Sequence, residues 1–279
     1  LEDAKMPPCL IIRTDGGTLY ATRDITAAIY RKNTYDFDKC IYVTSIDQNL
    51  HFAQWFKVIE KMGYDWSKDL VHVPFGLVSL EDGKLSTRKG KVVLMEDLLD
   101  EAVKKTMGII NDKNPDLPDK EKVAKEVGIG AVIFDDLYNG RIKDIVFSWD
   151  RMLNFDGETG PYVQYTHARA CSVLKKAGYV KGSAPIDYSV LTDDASVDVC
   201  KMLANYSAKI KEAASRYEPS VIARYLVDLS QAFNKFYHDN VILTDDENVR
   251  NARLAVVDAV RLVIKSGLEI LGIKSPERM

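Results

Sequence analysis

Cysteine is scarce and scattered in this chain. Four occur in 279 residues, Cys9, Cys40, Cys171 and Cys200, and none stands in a C-x-x-C pair. That spacing argues against zinc, so no metal site is expected, and it points to a reduced, cytoplasmic setting. Long apolar runs are missing too: nothing approaches the roughly 18 residues of a membrane span, and no membrane contact is expected. The opening LEDAKMPP has neither the basic region nor the apolar stretch of a signal peptide. A surplus of positive charge is also lacking. Net charge is −3, and acids equal or outnumber bases in each half of the chain. A polyanion must therefore be met by a local patch on a neutral background. The P-loop string G-x-x-x-x-G-K-[ST] is absent, as are internal repeats and low-complexity tracts.

What is present suits a soluble protein with a sizeable core: 46% hydrophobic and 28% charged residues. The first half alternates strand-like and helical patterns. PCLIIR (8–13) and KCIYVTS (39–45) are short, apolar and β-branched, as buried parallel strands are. TRDITAAIYRKN between them reads as a helix. DQNLHFAQWFKVIEKMG reads as another, stopping at Gly63, and LVHVPFGLVSL supplies a further strand. This order predicts a doubly wound parallel sheet, whose ligands bind beyond the carboxyl ends of the strands.

From Asp97 onward the pattern turns helical, with KDIVFSW the one exception. NDKNPDLPDKEK is a polar, proline-bearing connection, and FDGETGPYVQ is a turn-rich joint. Four apolar-striped helical stretches follow. In the last, Leu254, Val257, Val260 (or Arg261), Ile264, Leu268 and Leu271 share a face. The expectation is α/β plus all-α: a partial doubly wound, Rossmann-like sheet in residues 1–155 and a helical bundle in 156–279.

Three groups of polar residues fall near strand ends. Tyr20 and Asp24 are one helical turn apart, and a carboxylate there suits a bound cation or guanidinium. Asp47, Gln48 and His51 follow the strand CIYVTS. EDGKLSTRKGKVVLMEDL holds Lys84, Arg88, Lys89 and Lys91 around Ser86 and Thr87, with no acid from Lys84 to Lys91. Such a loop can neutralise charge developing on a transferring phosphoryl group. Taken singly, the loop reads as solvated surface, Asp24 as a helix-end charge and His51 as a half-buried histidine. Their placement at consecutive strand ends favours a shared site.

The strings TLYATRDITAAIYR, SIDQNLHFAQWFKVIEKMGYDW, FGLVSLEDGKLSTRKGKVVLMEDLLDEA and GPYVQYTHARACSVLKK resemble arginyl-tRNA synthetase, a class I aminoacyl-tRNA synthetase. DAVRLVIKSGLEILGIKSPERM is similar to the last helix of that family's anticodon-binding domain. The Asp-Ala-Leu-Arg string that names the domain reads Asp258-Ala259-Val260-Arg261 here. The resemblance implies ATP-dependent ligation of L-arginine to tRNA(Arg) through arginyl-adenylate, with Mg²⁺ accompanying ATP. Tyr20, Asp24 and Gln48 would hold arginine. Lys84, Ser86, Thr87, Arg88 and Lys89 would form the catalytic loop, with Lys84, Lys89 and His51 on the ATP side. The loop departs from Lys-Met-Ser-Lys-Ser, carrying Thr87 at the second lysine position.

Tyr165, Arg169, Tyr237, His238 and Met279 are candidates for tRNA contact by domain position. Phe233, Phe236 and Tyr237 read equally as bundle core. The family's His-x-Gly-His string is not in the chain. The expectation is therefore a carboxyl-terminal portion of a monomeric enzyme, inactive in charging by itself. The rival reading is a non-catalytic tRNA- or RNA-binding module.

Overall fold

The computed structural model describes residues 1–80, 83–84 and 94–279. The chain divides into two compact units, residues 1–77 with 142–144, and residues 78–141 with 145–279. The sequence-based division at 155/156 falls inside the second.

In the first unit, β1 (Cys40–Ser45) and β2 (Leu70–Phe75) pair in parallel, from Cys40 beside Leu70 to Ser45 beside Phe75. Between them run a 3-10 turn (Ile46–Gln48) and α2 (Asn49–Lys61), while α1 (Tyr20–Tyr35) precedes β1. This is a strand–helix–strand crossover, as the alternating pattern predicts. Its core joins Ala21, Ile25 and Ala28 of α1 to Phe52, Trp55 and Ile59 of α2 and Leu70 of β2. Gly63 ends the α2 region with φ +85°, a left-handed conformation that glycine adopts without strain.

Two expected strands come out differently. Residues 8–13 form no strand; an isolated bridge joins Ile12 to Thr18, and Leu10 and Ile12 are exposed. Pro7 and Pro8 carry no N–H to give a ladder. The segment is held by side chains instead. Gln54 Nε2 donates to the Pro7 and Pro8 carbonyls at 2.9 and 3.2 Å, and the Thr22 hydroxyl donates to the Ile11 carbonyl. The single strand expected over 70–80 is two, interrupted at Gly76 and Leu77. The Leu77 N–H donates to Asp144 Oδ1 at 2.8 Å, and a Cβ on Gly76 would lie 2.4 Å from the Lys143 carbonyl oxygen. Residues 142–144 thereby close the first unit.

In the second unit, β3 (Val78–Leu80) lies between β4 (Gly83–Lys84), antiparallel, and β5 (Ile145–Phe147), parallel. α3 (Met95–Lys113) and α4 (Lys120–Tyr138) form a hairpin, and α5 (Trp149–Met152) is a single turn. The bundle is α6 (Gly160–Lys176), α7 (Asp194–Ala204), α8 (Tyr206–Arg216), α9 (Ser220–Asp239) and α10 (Glu247–Ile270). One of the four apolar-striped stretches, VCKMLANYSAKIKEAASRY (199–217), is not one helix: it breaks at Asn205, so α7 and α8 are separate.

Caps explain where the helices begin. Thr159 accepts from the Tyr162 N–H, Asp193 from the Ser196 N–H and Asp246 from the Val249 N–H. The predicted face of α10 is buried throughout, with Val257, Val260, Ile264 and Leu268 fully covered. Phe233 and Phe236 of α9 are core, whereas Tyr237 is 40% exposed.

Gly128 lets α4 approach α3, since a Cβ there would lie 2.9 Å from the Ala102 carbonyl carbon and oxygen. Backbone cannot swing aside as a side-chain tip can. Gly128→Ala is expected to lower stability by about 1–3 kcal/mol of overpacking, exceeding the ~1 kcal/mol gained in helix propensity. Urea denaturation of the purified chain checks this through its midpoint.

Candidate functional site

Two groups of side chains stand out, one in each unit. In the first, α1 starts at Tyr20, so Tyr20 and Asp24 lie one turn apart on the same helix. The α2 helix follows the carboxyl end of β1 after one short turn, which puts Gln48 at that turn's last position and His51 in the first turn of the helix. Asp24 Oδ2 and His51 Nε2 are 2.6 Å apart, with side chains 39% and 30% exposed. A carboxylate oxygen accepts only, so Nε2 carries the proton. The His51 ring meets the edge of Phe52, Phe52 stacks on His72, and His72 Nε2 lies 2.8 Å from the Thr44 hydroxyl.

The orientation of His51 is therefore set from β1 and β2 through packed rings. Among the described residues no donor meets Asp24 Oδ1, which leaves that oxygen for a cation. Tyr20 is 80% exposed and Gln48 is exposed as well. The structure joins Asp24 to His51 directly, while Tyr20 and Gln48 are exposed nearby in sequence on the same two elements. The sequence reading placed His51 apart from Asp24. Their link spans 27 residues, and no local spacing reveals it.

Lys84 lies in β4, where its backbone pairs with Ser79. Ser86, Thr87, Arg88 and Lys89 lie outside the described residues.

The second group sits where α6 meets α9. Arg169 stands over the rings of both Tyr165 and Tyr237, with its guanidinium carbon 4.9 and 5.5 Å from their centroids. Tyr165 and Arg169 are one turn apart on α6, and Tyr237 is the exposed residue after the buried Phe236. A cation over aromatic faces gains about 0.5–1 kcal/mol per exposed contact. Arg169 also donates to Asn234 Oδ1 at 2.6 Å.

Two cavities, about 620 and 500 Å³, share Asn114, Tyr165, Arg169 and Met279 as a common wall. The larger has an apolar floor of Ile109, Ile110, Val123, Val127 and Phe155 under polar groups from Lys113, Asn114 and Arg169. Four of the five residues expected to touch tRNA thus stand together. His238 lines neither cavity and pairs with Asp239 through Nδ1 at 3.0 Å. Sequence reasoning missed Asn114, Tyr162 and Asn234. Tyr162 precedes Arg169 by seven residues and Asn234 precedes Tyr237 by three, spacings that mark one helix face in each case.

Met279 reaches this wall because buried polar groups grip the segment after α10. Gln164 Nε2 donates to the Lys274 carbonyl at 2.7 Å and to the Glu126 carbonyl at 3.2 Å. His167 Nδ1 donates to the Pro276 carbonyl at 3.0 Å, and Asn114 Nδ2 donates to the Met279 carbonyl at 3.2 Å. The Cys171 sulfur lies 3.7 Å from His167 Nε2 and 3.9 Å from Nδ1. Burial lowers the His167 pKa below its ordinary value, with Arg261 and Lys265 adding to the effect and the Pro276 bond opposing it. Burial pushes the Cys171 thiol up to about 11, so it stays protonated.

Comparison with known proteins matches both parts of the chain. Residues 3–149 match the model of "tRNA synthetases class I (R), catalytic domain", and residues 163–279 match that of the "DALR anticodon binding domain". An arginine–tRNA ligase of Halothermothrix orenii is 60% identical over 279 residues, all of this chain and 49% of that protein. One of Clostridioides difficile is 57% identical over the same span. The chain therefore spans about half the length of the curated relatives it matches.

Among solved structures, Thermus thermophilus arginyl-tRNA synthetase superposes with a TM-score of 0.90 at 29% identity. The match covers 99% of this chain and 53% of that one. The Plasmodium falciparum enzyme superposes with a TM-score of 0.79 at 24% identity, over 96% of this chain and 46% of that one, a likeness of fold.

The buried His167 has a testable consequence. Its folded pKa lies below the unfolded value of 6.5, so the unfolded chain binds more protons between the two. The stabilisation is whole above pH 6.5 and is lost as pH falls through the folded value. His167→Asn keeps an N–H for the Pro276 carbonyl but does not titrate. Unfolding midpoints measured from pH 7.5 to 5 are expected to fall more steeply for the native chain than for this variant.

Proposed function

The chain belongs to the class I arginyl-tRNA synthetase family, and from that premise we propose that it serves the ATP-dependent attachment of L-arginine to tRNA(Arg). A protein with the full length of these relatives would carry out the complete reaction. The first unit supplies the arginine side of the catalytic sheet, and the bundle supplies the anticodon-facing surface. The observation that carries the reading is the arginine held against two exposed tyrosines beside cavities large enough for a base. Aromatic and guanidinium planes at an accessible face are what splayed bases stack on.

For the amino-acid side, Asp24 offers its free Oδ1 to the guanidinium of the substrate. Tyr20 and Gln48 are exposed nearby in sequence, and His51 holds the carboxylate in place. A guanidinium is a weakly hydrated planar cation, and a pre-oriented carboxylate distinguishes it from neutral side chains. The arginine carboxylate then attacks the α-phosphorus of ATP, releasing pyrophosphate and forming arginyl-adenylate. A ribose hydroxyl of the tRNA's terminal adenosine next takes the arginyl group and releases AMP. Mg²⁺ would shield phosphate charge. Lys84 and Lys89, with Ser86, Thr87 and Arg88, would meet charge that grows on the phosphate during transfer, so their gain is confined to the transition state.

Two experiments test the two halves of this reading. In the whole protein, Asp24→Asn is expected to raise the arginine KM by roughly 30-fold, about 2 kcal/mol for a partly exposed ion pair covered on binding, and to leave the ATP KM near normal. Equal rises in both would remove Asp24 from the arginine site.

In the purified chain, titration with tRNA(Arg) is expected to show weak, salt-sensitive binding. Tyr237→Ala should weaken it by about 1–3 kcal/mol without changing the dependence on salt, because a stacking face is lost and no phosphate contact is. Binding indifferent to Tyr237, or no binding at low salt, would overturn the assignment of this face.

A further inference from the structure

Arg169 is held by more than the two tyrosine rings. Its guanidinium nitrogen donates to Asn234 Oδ1 at 2.6 Å. The Asn234 amide nitrogen donates to the Tyr162 hydroxyl at 2.9 Å and to the Thr166 hydroxyl at 3.4 Å. Thr166 in turn donates to the Tyr162 carbonyl at 3.0 Å and is fully buried. Both ends of the Asn234 amide are thus engaged, which sets its orientation: the oxygen faces Arg169 and the nitrogen faces the α6 hydroxyls. An amide reversed end for end would put its NH₂ against a guanidinium, donor against donor.

An arginine on a helix surface ordinarily samples many rotamers, and fixing such a side chain at the moment of binding costs conformational entropy. Here that ordering is present in the chain before any ligand arrives. Asn234 is placed to do this because α9 packs its Phe233 and Phe236 into the core, so residue 234 sits at the edge of the helix contact. There it is half-covered and aimed across at α6.

We propose that Asn234 is a positioning residue for nucleotide recognition, fixing the Arg169 guanidinium against Tyr165 and Tyr237 as a preset planar donor on the wall shared by the two cavities. This rests on the reading of that face as the anticodon surface. Its effect falls on discrimination between bases, because geometry specifies bases whereas charge alone serves phosphates. Asn234 itself needs no contact with RNA.

The test compares the native chain with Asn234→Leu and Asn234→Asp, all of residues 1–279. The leucine removes both the acceptor and the donors at similar volume. The aspartate keeps an acceptor for Arg169 and can accept from the Tyr162 hydroxyl, but it has no N–H for Thr166. Binding is measured for tRNA(Arg) and for the same transcript with one anticodon base replaced, at two salt concentrations. The Leu variant is expected to lose about tenfold in affinity for the native transcript and nearly all discrimination between the two, with an unchanged salt slope. The Asp variant is expected to bind both transcripts more weakly yet still discriminate.

An independent readout is the Arg169 guanidinium NMR signal without RNA. It should show slowed rotation and exchange in the native chain and the Asp variant, and averaged signals in the Leu variant. Should Asn234→Leu not fold, Asn234→Ala takes its place in both measurements. A native chain that fails to distinguish the transcripts overturns the anticodon reading beneath the proposal. A native chain that distinguishes them, alongside a Leu or Ala variant that does so equally well, overturns the role of Asn234 alone.

Discussion

Burying two polar side chains on one helix leaves the second unit little choice about where the segment after α10 can lie. Gln164 and His167 of α6 are almost completely covered, and each needs a hydrogen-bond partner to offset the water it has lost. The carbonyls of Lys274 and Pro276 accept from Gln164 Nε2 and His167 Nδ1, while Gln164 Oε1 meets no donor among the described residues. Once those two bonds are made, Met279 is carried to Asn114 and the cavity wall is complete. The apolar stripe of α6 settles which face looks inward. The two buried polar groups settle the register of what packs on it, a distinction that non-directional apolar contact cannot make.

The same helix therefore does two jobs on adjacent faces. Val163, Ala170 and Val173 belong to the bundle core. Tyr165 and Arg169 look outward. Two rings and one amide hold a half-buried cation in one orientation. The first unit uses the same device with the sign reversed: His51, held by Phe52 and by strand residues beyond it, orients the carboxylate of Asp24.

Much of this was legible in the sequence. The strand–helix–strand unit over 40–75 follows from alternating apolar runs, and the buried face of α10 follows residue for residue from its stripe. Tyr165, Arg169, Tyr237 and Met279 were candidates from domain position alone, together with His238, which stands apart from them. What stayed hidden was non-local. Residues 8–13 look like a strand by composition, but a strand needs a neighbour, and Gln54 and Thr22 take its backbone groups instead. The break between β2 and β3 depends on Lys143 and Asp144, far along the chain. The break at Asn205 lies inside a continuous apolar pattern. Asn234 has no signature because a polar residue at the rim of a helix face looks like any other surface residue. The basic loop at 84–91, the most conspicuous string in the sequence, lies largely outside the described residues.

The return of residues 142–144 to the first unit has a consequence for how the chain is made. Synthesis runs from the amino end, and β1, α1, α2 and β2 emerge long before Asp144 does. Until then the Leu77 N–H has no carboxylate to meet, and Gly76 has no Lys143 carbonyl against it. The β4 strand, α3 and α4 must all be translated in the meantime. The first unit is thus begun early and sealed late. During that interval the ribosome holds a nascent intermediate whose last closing contact is still being polymerised.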